Sequence, residues 1–403
     1  MYRSMARDFR LAGIGWATVL ICAFASHTSF SAQRAHANTA ERIERVENGI
    51  PLFKRRDDEA PMQLNLTDLM RLHDVPGLSI AVIDNFKIAW ARGYGVKEPG
   101  FSAPVTTHTL FQAGSVSKPV AAWGALTLVQ SGKLSLDEPV NRHLKSWRIP
   151  ENKFTALRLV TLRHLLSHSS GLTAHGFNGY ALDSPVPTVV QLLNGEPPAN
   201  SVPVRVTLVP GTEFQYSGGG YVVAQLLVSD VTGESFSQFM RTAVLDEAGM
   251  ADSTYEQPLP QARAGEAATG TRAGGNPVSG RWHVYPEVAA GGLWTTASDL
   301  AKFAIEVALS KRGKANHVLS ESMTREALTP QIAHRSLGFD VGDYGAMDEF
   351  GHEGDDAGFN AILIMFADTG KGVAIMTNSD NGYLVYQQLV RSVATEYDWP
   401  SAP

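Results

Sequence analysis

The chain of 403 residues has a single cysteine, Cys22. That leaves no room for a disulfide framework or a cysteine-based zinc site. Basic clusters are also scarce. The eleven Lys are dispersed, and the longest basic run is Lys54-Arg55-Arg56, a solvated surface patch. With 34 Lys+Arg against 40 Asp+Glu the formal net charge is −6, which argues against nucleic-acid binding. There is no G-x-S-x-G elbow, no Walker loop and no G-x-G-x-x-G after a strand. The usual α/β-hydrolase site and nucleotide binding are therefore unsupported. Nothing in the sequence calls for a cofactor. What remains is an ordinary globular composition, 44% hydrophobic and 18% charged. A chain of this length buries enough apolar surface to fold without metal or disulfide.

Long apolar runs are lacking too. Residues 11–25, LAGIGWATVLICAFA, make an apolar run of 15, short of the about 20 that a membrane span needs. Arg3, Arg7 and Arg10 precede it, and the A-x-A pattern Ala35-His36-Ala37 follows. This is the order of a secretory signal peptide over residues 1–37. Ile21 before Cys22 does not suit a lipoprotein signal. Cleavage at Ala37 removes the cysteine, four Arg and one Asp, taking the net charge from −6 to −9. The expectation is an exported, cysteine-free bacterial protein, periplasmic or extracellular, with no membrane span after cleavage.

Along the mature chain, Leu78–Asp84 and Lys87–Tyr94 predict a hairpin about Asp84-Asn85. Ser115–Gln130 carries a helical apolar stripe that Ser131-Gly132 ends. Leu159–Ser167 predicts a short helix, with further helices near 219–231 and 235–248. Segments 172–214 and 257–281 read as loops. Ser298–Leu309 predicts a helix capped by Ser298. Strands are expected at Ser336–Val341, Ala361–Phe366 and Gly372–Asn378, and a last helix near 384–396. Strands at both ends suggest an α/β domain, 38–120 plus 286–403, with a mainly helical domain, 121–285, inserted.

The chemical signal is Ser115-Val116-Ser117-Lys118. A serine hydroxyl needs a nearby base, and a lysine three residues on lies one helical turn away on the same face. A chain with eleven Lys yields about one S-x-x-K by chance, so the motif needs support. It follows Gly114 at a helix start. Tyr216-Ser217-Gly218-Gly219-Gly220 places a phenol beside a glycine-rich bend, where the bland alternative is a core tyrosine. His352-Glu353-Gly354, the only H-x-G in the chain, stands before the expected strand at 361. Its bland alternative is a surface histidine. His164 and His168 are four apart, but no third ligand accompanies them, so capping or packing is favoured over metal.

These elements, in this order, resemble the penicillin-recognising serine hydrolases, nearest to the class C β-lactamase-related branch. That branch includes carboxylesterases, D-aminopeptidases and D-Ala-D-Ala carboxypeptidases. The resemblance covers most of residues 60–395. It extends to Val75-Pro76-Gly77-Leu78-Ser79-Ile80-Ala81-Val82, to Arg163–Leu172 and to Ala290-Gly291-Gly292-Leu293-Trp294. It implies the β-lactamase/transpeptidase-like α/β fold, an antiparallel sheet flanked by helices with an inserted helical domain. It implies that Ser115 attacks a carbonyl and forms an acyl-enzyme, with Lys118 and Tyr216 sharing the proton transfers. It places His352 and Gly354 where relatives carry K-T-G, Asp355 as an oxyanion-hole backbone donor beside Ser115, and Gly218 in the substrate site.

The departures bear on substrate. K-T-G is absent, and the family's Y-x-N is here Tyr216-Ser217-Gly218. Both losses weaken the case for an efficient β-lactamase. His352 would still donate to a substrate carboxylate, more strongly below its pKa near about 6.5. The expected partner is a small molecule or short peptide. The first reading is a peptidase or amidase on D-residue-containing peptides, since the β-lactams that the family recognises mimic D-Ala-D-Ala; one relative acts on linearised microcystin. The alternatives are a carboxylesterase with weak β-lactamase activity and a non-catalytic penicillin-recognising sensor. An intact Ser115, Lys118 and Tyr216 counts against the last.

Overall fold

The computed structural model describes residues 38–51, 63–342 and 348–400. The expected leader, 1–37, lies outside them. A six-stranded antiparallel sheet forms the centre: β1 (Gly77–Asp84), β2 (Lys87–Gly95), β3 (Asp340–Val341), β4 (Glu349–Asp356), β5 (Phe359–Phe366) and β6 (Lys371–Thr377), in the order β2-β1-β6-β5-β4-β3. Four helices matter below: α1 (Ser117–Gln130), α2 (Gly218–Thr232), α3 (Ala297–Lys311) and α4 (Gly382–Glu396).

The sequence dictates why the middle strands lie inside. Every residue of β5 is buried, and its run of Ile, Leu, Met and Phe has no polar alternation to face water. One face, with Ile80, Val82, Ile364 and Ile375, packs on Leu389 and Val393 of α4 and on the helix Thr39–Asn48. The other, with Ala81, Leu363 and Met376, packs on Trp123 of α1 and Phe303 of α3. Each fully buried side chain of this size contributes about 2 kcal/mol. Helix α1 is buried almost all round, so its apolar stripe becomes a core rod. Between β2 and β3 the chain is mainly helix and loop. Among the described residues no helix is long and apolar enough to cross a membrane.

Local chemistry shifts some boundaries. The hairpin turns on Asn85-Phe86, both at positive φ, one residue later than expected. Helix α3 is capped by Thr296, whose hydroxyl accepts from the Asp299 N–H at 3.1 Å, and not by Ser298. The helix Glu321–Leu328 and the strand β4 were not expected, and a short helix, Val189–Asn194, interrupts the predicted loop.

Candidate active site

The two-residue strands Phe111–Gln112 and Trp294–Thr295 pair and deliver the chain to a 3-10 turn, Gly114–Val116. Ser115 sits in that turn, and the α-helix begins two residues later at Ser117. The turn lies flat against β4. Gly114 has φ +51°, and a Cβ on it would fall 2.4 Å from the Asp355 nitrogen. A Cβ on Gly354 would fall 2.0 Å from the Ala113 carbonyl oxygen and 3.2 Å from the Ser115 nitrogen. Two bare backbones thus bring the amides of Ser115 and Asp355 together. Gly354→Ala is therefore expected to push the turn off β4 and lower turnover by about 10²-fold, the cost of misplacing one oxyanion donor. Kinetics on one activated ester, with circular dichroism to check the fold, measures it.

The Lys118 Nζ lies 2.8 Å from the Ser115 Oγ and 2.7 Å from the Ala290 carbonyl oxygen, to which it donates. The side chain is buried. The Tyr216 ring centroid is 5.0 Å from the same nitrogen. Tyr216 stacks on His168, centroids 4.1 Å apart, and His175 packs at 4.8 Å on the ring. Buried His168 accepts the Ser217 N–H on Nδ1 at 3.0 Å, and burial, then Lys118, holds its pKa well below the usual range. His164 instead accepts the Thr161 N–H in a capping box. The two histidines thus do separate structural work. Among the described residues no group of three or more His, Cys, Asp or Glu is placed to hold a metal.

His352 lies within β4, opposite Leu363, and not ahead of a strand. Burial, with Lys118 nearby, drives its pKa down to about 3. Its Nδ1 is 2.6 Å from the Glu353 carbonyl oxygen, which can only accept, so Nδ1 carries the proton. Nε2 is then a bare acceptor. The expectation that His352 donates to a carboxylate is corrected on this point. The cation at this end of the cleft is Arg335, whose guanidinium lies 6.0 Å from the Tyr216 ring centroid, 5.0 Å from that of Phe214, and pairs with Asp340.

Ser115, Lys118, Tyr216, His352, Gly354 and Asp355 all line one cleft of about 860 Å³. Gly218 is not among its lining residues. Its N–H donates to the His175 carbonyl at 3.0 Å, and a Cβ there would meet Phe177 at 2.8 Å. Two buried carboxyls line the cleft without being expected: Glu287, raised by burial to about 8, and Asp356, raised by burial and by Asp355.

A family model described as Beta-lactamase matches residues 62–393. The chain belongs to the Beta-lactamase family. Unguisins hydrolase ungD of Aspergillus violaceofuscus is 26% identical over 77% of the chain and 60% of its own length. The chain therefore spans only about three fifths of that relative. Penicillin-binding protein 4 of Amycolatopsis lactamdurans is 25% identical over 84% of the chain and 90% of its own length. The fold is that of solved members. The octameric penicillin-binding protein homologue of Pyrococcus abyssi has a TM-score of 0.68 at 23% identity, over 82% of this chain and 75% of that one. SurE with D-Leu gives 0.66 at 23%, over 84% and 75%. D-alanine carboxypeptidase AmpC of Burkholderia cenocepacia gives 0.65 at 19%, over 89% and 99%. Against this family background, Arg335, Glu287 and Asp356 are the residues that sequence reasoning missed. None stands in a motif, and each gains meaning only from what folds beside it.

Proposed function

We propose that this chain is a serine hydrolase working through an acyl-enzyme at Ser115, and that it acts as a peptidase or amidase on short peptides containing D-residues. The carrying observation is the 2.8 Å contact of the Lys118 Nζ with the Ser115 Oγ, in a turn seated on β4. A neutral Lys118 can donate one N–H to the Ala290 oxygen and turn its lone pair to the Ser115 hydroxyl. It then takes the proton as the Oγ attacks the carbonyl carbon. The amides of Ser115 and Asp355 receive the developing oxyanion. Lys118, with Tyr216 beside it, returns the proton to the leaving amine. Water then attacks the acyl-enzyme by the reverse path and frees the acid.

Several features support peptides as substrates. The cleft volume of about 860 Å³ is at the upper end for small-molecule sites, enough for a short peptide. Arg335 is the one Lys or Arg besides Lys118 among the described cleft residues, and it suits a substrate carboxylate on the leaving-group side. D-Leu and D-alanine figure in two proteins of the same fold, and a hydrolase named for unguisins is a relative in sequence. The class includes linearised cyclic peptides such as microcystin. The signal-peptide-like order of residues 1–37 in the sequence supports export. Mass spectrometry of paired D- and L-residue peptides and short p-nitrophenyl esters, with Ser115→Ala as blank, tests this. D-peptides cleaved faster than esters is the expected result. Turnover of esters alone makes the protein a carboxylesterase, and binding without turnover makes it a sensor.

A further inference from the structure

The cleft has an end that the proposed chemistry does not use. Glu287 is fully buried, and its carboxyl oxygens meet no donor beyond its own backbone N–H. Asp356 is 7% exposed, and its Oδ2 has no hydrogen-bond partner. Both line the cleft, and Glu287 is close enough to oppose ionisation of Asp356. The neighbouring Gln225 amide is engaged with the Pro286 oxygen and the Ala289 N–H. Buried carboxyl oxygens so poorly served are costly unless something brings N–H groups to them.

The surroundings favour a cation as that donor. The described cleft residues include seven Asp or Glu against two Lys or Arg. An ammonium carries three donors and no acceptor, so it can serve these oxygens once the carboxyls are ionised. A hydroxyl offers one donor only. The place is close to the nucleophile. Asp356 follows Asp355 in β4, and its Oδ1 lies 3.4 Å from where a Cβ of Gly291 would be. Gly291 is next to Ala290, whose oxygen holds Lys118. Along β4, His352 and Asp356 are separated by about 13 Å at the rise of an extended strand. Arg335 is at the first of these ends and the carboxyls are at the second.

We infer that Glu287 and Asp356 form a subsite for a primary ammonium of the substrate, on the acyl side of the scissile bond. The side follows from peptide polarity. With a carboxylate at Arg335, a peptide laid across Ser115 presents its amino terminus at Glu287 and Asp356. The inference rests on the proposed hydrolase reading for that orientation. Burial raises the pKa of both carboxyls, that of Glu287 to about 8, and an arriving cation favours their ionised forms.

The test uses D-alanyl and glycyl-D-alanyl p-nitroanilides, each with a free and an N-acetylated amine. The expected result is a kcat/KM at least ten-fold higher for the free amine in one or both pairs, carried by KM. In Glu287→Gln and Asp356→Asn that ratio falls towards one. A ratio is indifferent to partial loss of active protein, and wild type alone decides if the variants do not fold. Equal or better turnover of both acetylated compounds overturns the subsite and leaves the hydrolase reading standing. Calorimetric titration of the same compounds into Ser115→Ala separates the reverse case. Ten-fold tighter binding of a free amine, with no turnover by wild type, keeps the subsite and removes the hydrolase reading. No preference in that titration overturns the subsite.

Discussion

Ser115→Ala is expected to lower turnover of every peptide and ester substrate by about 10⁴-fold or more, the scale seen when a serine nucleophile is removed. The reason is local. The Ser115 hydroxyl lies 2.8 Å from the Lys118 Nζ. Without it the lysine has no proton to take and the carbonyl has no attacking atom. The fold has little at stake. Ser115 is only half-buried, and the turn is held by backbone contacts of Gly114 and Gly354 with their neighbours. The variant should therefore melt within a few degrees of the parent. Burst kinetics on a p-nitrophenyl ester, with a melting curve beside it, measures both. Retention of more than about one hundredth of the parent rate contradicts the assignment.

Lys118→Ala is expected to cost about 10²–10⁴-fold in turnover, the range for a general base. It also costs stability. The lysine is buried, and truncation strands the Ala290 oxygen that it satisfies, a loss of about 1–3 kcal/mol. These two effects must be told apart. Lys118→Arg supplies a charge and donors but cannot give up its proton. If Lys118 were only a structural cation, arginine would restore much of the rate. If it is the base, arginine restores none of the rate. Rescue by arginine with an unchanged pH profile would transfer the base role to Tyr216.

The parts of the site that could be read in advance are those where chemistry and local structure agree. Ser115 and Lys118 are one helical turn apart, and the helical period alone brings them within hydrogen-bond reach. The apolar runs Ala361–Phe366 and Val373–Met376 make up most of β5 and β6, so composition and length agree on them. Strand β4 could not be read so. Its sequence, Glu-Phe-Gly-His-Glu-Gly-Asp-Asp, is poor in β-formers, and pairing with β5 makes it a strand. Its glycine at 354 is there because the Ala113 oxygen leaves no room for a Cβ. That error carried His352 with it. At the front of a strand it would be hydrated and titrate near neutrality, whereas inside β4 it is desolvated and stays neutral. Arg335 and Glu287 were invisible for another reason. Each is an isolated residue in a loop or at a helix start, and only the tertiary fold turns it towards the cleft. Gly218 shows the opposite failure, where a motif position proves to be a packing contact with Phe177.

An acyl-enzyme mechanism requires a covalent bond at one atom, the Ser115 Oγ. Incubation of the protein from residue 38 onward with a fluorophosphonate probe, followed by intact-mass measurement and peptide mapping, tests it most directly. The prediction is one adduct per chain, located on the peptide containing Ser115, absent from Ser115→Ala and slowed in Lys118→Ala. An adduct on any other residue, or one that persists undiminished in Ser115→Ala, contradicts it.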